Sequence, residues 1–265
     1  MPELPEVETI KQDLQKVVLN QSITKIKVIQ NKTFINPKNL DVIGKITKID
    51  RVGKNLIIDI EKQCTLIIQL RMTGKLIYDK KYEKDSEYCR VVFYLGGKEV
   101  LAFYDIRAFG RIEVVPYQKH MERLKSIGID ALSKDFTLEL FKKQCNMRKI
   151  PIKTMLLDQH IISGIGNIYA MEILFDSKIS PLRVANTISD PEIKKLYTSI
   201  NKILRDAIKH NGTTISDYRR VDDKTGDFQN FLQVYGKTTC PICNNRLTKV
   251  KIRGRVTRYC NKCQK

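Results

Sequence analysis

No apolar run in this chain approaches the roughly 20 residues that a membrane-spanning helix needs. Residues 1 to 22 lack the basic start and apolar stretch of a secretory leader. No basic amphipathic helix of the kind that grips an acidic bilayer stands out, and internal repeats and low-complexity tracts are missing. The expectation is a cytoplasmic protein with no membrane partner. Acids are scarce: 29 Asp and Glu face 48 Lys and Arg, for a net charge of +19. That imbalance calls for a polyanion, and nucleic acid is the partner it favours.

What is present supports a folded enzyme-sized chain. With 265 residues, 42% of them hydrophobic, it can build two modest domains or one large one. Residues 3 to 18 read as a helix, because Val7, Ile10, Leu14 and Val17 recur at helical spacing. From about 22 to 115 the texture is short β-branched runs: SITKIKVIQ, KITKIDRV, NLIIDIE, TLIIQL, RVVFYL, EVLAFYDI and GRIEVV. They predict an antiparallel sandwich or barrel. Beyond Pro116, MERLKSIG, TLELFKKQC, IKTMLLDQ, NIYAMEILFDS and DPEIKKLYTSINKILRDAIKHN are helical by period, the last opening at Asp190-Pro191. Residues 211 to 236 are polar and too long for a simple connector, so they are disordered or a functional loop.

Seven cysteines in a cytoplasmic chain do not imply disulfides. Cys64, Cys89 and Cys145 are scattered. Cys240-Pro-Ile-Cys243 and Cys260-Asn-Lys-Cys263 form two CxxC turns separated by sixteen residues. Two such turns close a tetrahedron of thiolates with no open position, which is a structural zinc site. The segment between them turns at Gly254 and predicts a hairpin carrying Arg253, Arg255 and Arg258. The last 29 residues hold nine Lys and Arg and no acid, so those guanidinium forks suit phosphate oxygens. In ISGIGNIYA, residues 162 to 170, a glycine pair ahead of a helix start offers backbone N–H groups to a phosphate; Asn167 caps that helix, contacts a phosphate, or both.

These blocks, read in order, resemble one family. MPELPEVET at the start, LRMTGKL at 70 to 76, DIRAFGR at 105 to 111, IKTMLLDQ with GIGNIYA, and the closing four-cysteine ribbon are similar to formamidopyrimidine-DNA glycosylase, collinearly over essentially the whole chain. The resemblance implies an α+β fold. An N-terminal helix plus β-sandwich would occupy 1–133 and a helix–two-turn–helix domain with a lesion-capping loop 134–235. A zinc ribbon holding one structural Zn2+ would follow at 236–265. It implies a monomer acting in the bacterial nucleoid, with double-stranded DNA lying across a cleft between domains. The activity implied is excision of oxidised purines (8-oxoguanine and formamidopyrimidines) followed by β,δ-elimination at the abasic site.

Residue roles follow from the same resemblance. Pro2, freed of Met1, would be the nucleophile and Schiff-base former. A free α-amine has a pKa near ~8 against ~10.4 for lysine, so much more of it is unprotonated at neutral pH. Glu3 would move protons at the sugar and Glu6 would orient the chain start; both acids also favour the helix dipole. Lys54 would touch phosphate and assist elimination. Arg255 would grip the phosphates flanking the lesion and serve the second elimination. Met72, Arg107 and Phe109 match the trio that fills the void left by an everted base. Lys153 and Asn167 match phosphate contacts, and Arg148 is a further basic position.

Three places depart from the family pattern. Tyr88-Cys89-Arg90 replaces histidines common before that strand, and Tyr88 takes the candidate DNA contact. Ala108 stands where a basic residue is usual, and Met171 where a small or acidic one is common. Asp222, Asp223 and Asp227 argue against ordinary phosphate contact by their loop. Two other readings compete: an endonuclease VIII-like enzyme for oxidised pyrimidines, and a zinc-ribbon DNA-binding protein without catalysis. Leu4 in PELPE and the void-filling trio lean to the purine branch, and Pro2, Glu3 and Lys54 against loss of catalysis.

Overall fold

Helix α1 (Leu4–Val17) forms where the apolar period predicts it, and Leu4, Val7, Ile10 and Leu14 are each at most 1% exposed. The computed structural model describes residues 1–80 and 87–265. Ten strands follow α1 as far as Pro116 among the described residues: β1 (Ser22–Ile23), β2 (Lys25–Val28), β3 (Phe34–Ile35), β4 (Gly44–Val52), β5 (Asn55–Ile60), β6 (Cys64–Gln69), β7 (Gly74–Asp79), β8 (Cys89–Tyr94), β9 (Val100–Asp105) and β10 (Arg111–Pro116). They make a six-stranded sheet, ordered β1-β4-β5-β6-β10-β3, and a four-stranded sheet, ordered β2-β8-β9-β7.

Alternation along the strands explains the core. Leu56, Ile58, Ile60, Leu66 and Ile68 of the first sheet join Leu76, Val91, Phe93, Leu101 and Phe103 of the second in one apolar cluster. Helix α1 adds Val7, Ile10 and Leu14 to that cluster and lies against β4 and β5.

Two details escape sequence patterning. SITKIKVIQ reads as one strand, but the chain changes sheets at Thr24: β1 pairs with β4 and β2 with β8. Strand β7 draws its register from β9 rather than from its own composition. One expectation fails outright. MERLKSIG yields only the four-residue α2 (His120–Arg123), since Leu124 alone is buried there and Met121 is 56% exposed. Without an apolar stripe to bury, a longer helix has nothing to hold it.

The chain divides into two units, Met1–Ser126 with His210–Asp227, and Ile127–Lys209 with Phe228–Lys265. The second contains β11 (Ile129–Asp130), α3 (Leu138–Asn146), α4 (Ile152–Leu157), β12 (Ile162–Ser163), α5 (Asn167–Asp176), α6 (Asp190–Lys209), and the hairpin β13 (Thr248–Ile252) and β14 (Arg255–Tyr259). The hairpin turns at Arg253-Gly254, where the sequence predicts it.

Candidate functional site

Strand register gathers three turns at one end of the sandwich. Val52 pairs with Asn55 across the two-residue turn Gly53-Lys54. Asn55 pairs with Gln69, and Gln69 with Arg111. Gly74 pairs with Asp105. The connections 70–73 and 106–110 therefore run side by side, each crossing from one sheet to the other, with Lys54 on the neighbouring turn. Tyr88 joins them, because its carbonyl accepts the Asp105 N–H at 2.9 Å.

The chain start is anchored at α1. Pro2 is buried, Glu3 and Glu6 are each 2% exposed, and Met1 is 39% exposed. Glu3 and Glu6 form a capping box in which the Glu3 N–H donates to Glu6 Oε2 at 2.7 Å. Glu6 Oε1 accepts the N–H of Thr213 at 2.7 Å. A side chain at residue 212 would put its Cβ 2.9 Å from that same oxygen, and Gly212 also sits at φ +78°, so glycine is required there. Glu6 is thus a brace, and its far partner comes from the long polar segment.

That segment is packed. Tyr218 and Val221 enter the sandwich core, Arg220 forks onto both carboxylate oxygens of Asp13 at 2.9 and 2.8 Å, and Asp223 lies 3.5 Å from the Lys75 ammonium. Burial holds the Tyr218 phenol well above its ordinary range.

A clamp fixes the turn that carries Lys54. Arg51 donates to Glu8 Oε2 of α1 and to the Gly53 carbonyl, both at 2.9 Å. Burial pushes the Glu8 carboxyl up, but hydrogen bonds from Lys11 and Arg51 outweigh it and hold the group below its ordinary 4.5. A carboxyl depressed in the fold stabilises while ionised. The clamp contributes fully above about pH 4.5 and is lost as pH falls through the lowered value. Melting temperatures of the wild type and Glu8→Gln are expected to differ near neutrality and to converge in acid.

Met72, Tyr88, Ile106 and Phe109 are exposed at this end, at 37%, 40%, 53% and 53%. The Arg107 guanidinium stands over the Phe109 ring, 4.8 Å from its centroid.

In the second unit, Lys153 is fully buried. Its ammonium donates to Asn167 Oδ1 at 2.8 Å and Thr257 Oγ1 at 2.6 Å. Asn167 Nδ2 in turn donates to the Val256 carbonyl at 3.3 Å. These bonds tie the start of α5 to β14. Asn167 does not cap its helix: Gly166 holds the cap position, and the amide is engaged with the ribbon instead. Arg255 is exposed at the head of β14. Its neighbour Arg253 does meet an acid, since tertiary folding brings Asp158 Oδ2 to 3.4 Å, and Arg258 donates to the Lys237 carbonyl at 2.8 Å. Arg148 lies just beyond the end of α3 and donates to the Gln144 carbonyl of that helix at 2.8 Å.

The four ribbon thiols lie within 4.8 Å of one another, with Cys240 to Cys263 at 3.9 Å and Cys243 to Cys260 at 3.5 Å. A tetrahedron with metal–sulfur bonds of ~2.3 Å has edges of about 3.8 Å, so the donor set fits a tetrahedral thiolate metal. Met171 and Phe175 of α5 pack against the ribbon with Val234, Cys240, Leu247 and Cys260, which gives the unusual Met171 a packing role.

Sequence reading missed Glu172. It is 3% exposed and accepts the N–H groups of Gln233, Val234 and Tyr235 at 2.8, 3.1 and 2.8 Å. A lone acid inside the apolar run NIYAMEILF was the available signal, because a buried charge needs partners. Glu172→Ala leaves the buried Val234 N–H and the N–H groups of Gln233 and Tyr235 without their acceptor. It is expected to cost about 3 kcal/mol, or roughly 6–12 °C in melting temperature, while Glu172→Gln recovers only part of the loss, because its amide keeps one acceptor oxygen and turns an NH2 donor towards the remaining N–H.

Comparison with known proteins agrees along the whole chain. Residues 1–112 match the formamidopyrimidine-DNA glycosylase N-terminal domain, and residues 127–219 match the formamidopyrimidine-DNA glycosylase H2TH domain. The chain is 39% identical to the formamidopyrimidine-DNA glycosylase of Pelotomaculum thermopropionicum, over 100% of this chain and 99% of that one. It is 40% identical to that of Carboxydothermus hydrogenoformans, over 100% of both. Among solved structures, a complex of the Lactococcus lactis protein with abasic-site DNA aligns with a TM-score of 0.91 at 34% identity, covering 99% of each chain. A variant of that protein bound to Fapy-dG-containing DNA aligns at 0.92, with the same identity and coverage. The wild type bound to DNA with an oxidised pyrimidine aligns at 0.90 with 33% identity and again 99% of each chain.

Proposed function

The chain belongs to the formamidopyrimidine-DNA glycosylase family, and we propose that it excises oxidised purines from double-stranded DNA and then cuts the abasic strand, using the amine of Pro2. The observation that carries this reading is the buried chain start: Pro2 leads into α1, with Glu3 and Glu6 buried beside it and Glu6 tied to Thr213. A nucleophile must be held still to react, and this start is held from two sides.

Removal of Met1 makes Pro2 a secondary amine. Its lone pair attacks C1′ of the lesion nucleotide, and the bond from C1′ to the base nitrogen breaks. The base leaves with a proton, the sugar ring opens, and an iminium joins Pro2 to C1′. The iminium acidifies the C2′ proton; its loss expels the 3′ phosphate, and a second elimination expels the 5′ phosphate. Water then hydrolyses the imine and frees the enzyme. Glu3 moves protons at the sugar. Lys54 binds a phosphate beside the lesion and assists elimination, on a turn the Arg51–Glu8 clamp keeps in place. Met72, Arg107 and Phe109 occupy the vacated stack, with Tyr88 contacting DNA nearby, and the 211–236 segment covers the everted base.

Arg255 grips phosphate and serves the second elimination. Asn167 contacts phosphate next to it, and Lys153 both orients Asn167 and adds positive charge. Arg148 supplies a further basic contact. Cys240, Cys243, Cys260 and Cys263 would hold one Zn2+, which, bound by four thiolates, would supply structure to the ribbon and no chemistry to the reaction. No helix among the described residues is long and apolar enough to cross a membrane.

Borohydride trapping tests the reading. Duplex with 8-oxoguanine opposite cytosine is expected to give more covalent adduct than duplex with thymine glycol. The relative bound to oxidised-pyrimidine DNA is the observation favouring the pyrimidine alternative. Preference for thymine glycol would establish it. Absence of adduct with either lesion and with an abasic site would overturn the enzyme.

A further inference from the structure

We propose that Thr73 and Asp105 are positioning residues that lock Met72, Arg107 and Phe109 into one ready-made probe. The proposal rests on the void-filling reading of that trio and adds the part of the protein that holds it together.

The two loops that carry the trio have no regular structure of their own. Each runs from one sheet to the other, 70–73 from β6 to β7 and 106–110 from β9 to β10. A hydrogen-bonded ring joins them. Asp105 is fully buried at the end of β9. Its Oδ1 accepts the Thr73 hydroxyl, and its Oδ2 accepts the Gly110 N–H at 2.6 Å. The Thr73 oxygen in turn accepts the Arg107 N–H at 3.1 Å. The carboxylate therefore holds both loops, and the hydroxyl closes the circuit by donating to one group and accepting from another. Gly110 belongs to the ring by necessity, since a Cβ there would lie 2.5 Å from the Phe103 ring and 2.9 Å from Asp105 Oδ2.

Backbone conformation shows what the ring must hold. Arg71, just before Met72, sits at φ +56°, and Ala108, between Arg107 and Phe109, sits at φ +52°. Left-handed backbone is disfavoured for both residue types and persists where surrounding bonds determine it. Asp105 is itself secured through its main chain, donating to the Tyr88 carbonyl at 2.9 Å and accepting from Arg90 Nε at 2.8 Å. The departure at Tyr88-Cys89-Arg90 thus supports the hub.

The result is that the Arg107–Phe109 pair and Met72 stand exposed in a fixed arrangement. Ordering two loops at the moment of base eversion would oppose insertion entropically; a probe already ordered avoids that cost.

The test uses Thr73→Val, which keeps the shape and removes the hydroxyl, with Thr73→Ser as the rescue. The probe is a duplex holding a tetrahydrofuran abasic analogue with 2-aminopurine as the opposite, orphaned base. Wild type and Thr73→Ser are expected to change its fluorescence on binding, and Thr73→Val to lose most of that change. Single-turnover excision of 8-oxoguanine opposite cytosine should fall at least about tenfold in Thr73→Val. Cleavage of a pre-formed abasic site in single-stranded DNA, which has no void to fill, should change less than about twofold. A wild-type fluorescence signal in Thr73→Val would overturn the positioning role, and so would an equal loss on single-stranded abasic DNA. A wild type that leaves 2-aminopurine unaffected would instead overturn the void-filling reading, and the proposal with it.

Discussion

Protein that retains Met1, or carries an N-terminal tag, is expected to lose borohydride trapping and strand cleavage by at least about a thousandfold while still binding damaged DNA. The reason lies in one nitrogen. In a Met1–Pro2 peptide the Pro2 nitrogen is a tertiary amide, and its lone pair is delocalised into the carbonyl. It can neither attack C1′ nor form an iminium. Met1 is 39% exposed whereas Pro2 is buried, and the bonds that anchor the start belong to Glu3 and Glu6. Losing Met1 therefore uncovers the amine without dismantling the fold. The check is mass spectrometry of the N-terminus followed by trapping on abasic duplex. Pro2→Gly, which presents a primary amine at the same place, should retain measurable trapping. A verified tagged protein that traps at the processed rate would exclude Pro2 as nucleophile.

Removing the metal should weaken DNA binding by about a hundredfold, the loss of roughly two charge-assisted phosphate contacts. Structural zinc in small thiolate sites contributes ~10–16 kcal/mol to local folding. The ribbon's apolar cluster is small: Leu247 and the cysteines against Met171, Phe175 and Val234. An isolated two-stranded hairpin is marginal in water. Its collapse removes Arg255 and also breaks the bonds from Lys153 to Thr257 and from Asn167 to Val256. Chelation verified by metal analysis, with fluorescence anisotropy on abasic-analogue duplex, reads the effect, and added Zn2+ should reverse it. Unchanged affinity in verified metal-free protein would show that the ribbon does not carry binding.

Much of the frame is legible in local pattern. The period of Val7, Ile10 and Leu14 places α1, and short β-branched runs place most of the sandwich. The CxxC turns place the thiols, whose geometry then proves tetrahedral in scale. Each signal is carried by residues close in sequence, and local spacing is enough to read it. MERLKSIG fails because a period without a partner surface does not sustain a helix. The single run SITKIKVIQ hides a change of sheet, since composition cannot say which neighbour a strand will choose.

The chain by itself supplied the residues that the proposed reaction uses: a proline behind Met1, acids beside it, a lysine after Gly53, four cysteines in two CxxC pairs, and an excess of positive charge. Tertiary structure alone decided how they are held. Glu6 meets Thr213 across 207 residues, Arg253 meets Asp158, Glu172 gathers three N–H groups, and Thr73 and Asp105 join two loops. Such contacts leave no periodic trace. A buried polar group takes whichever partner the packed fold brings within hydrogen-bond range, and that choice is made in three dimensions.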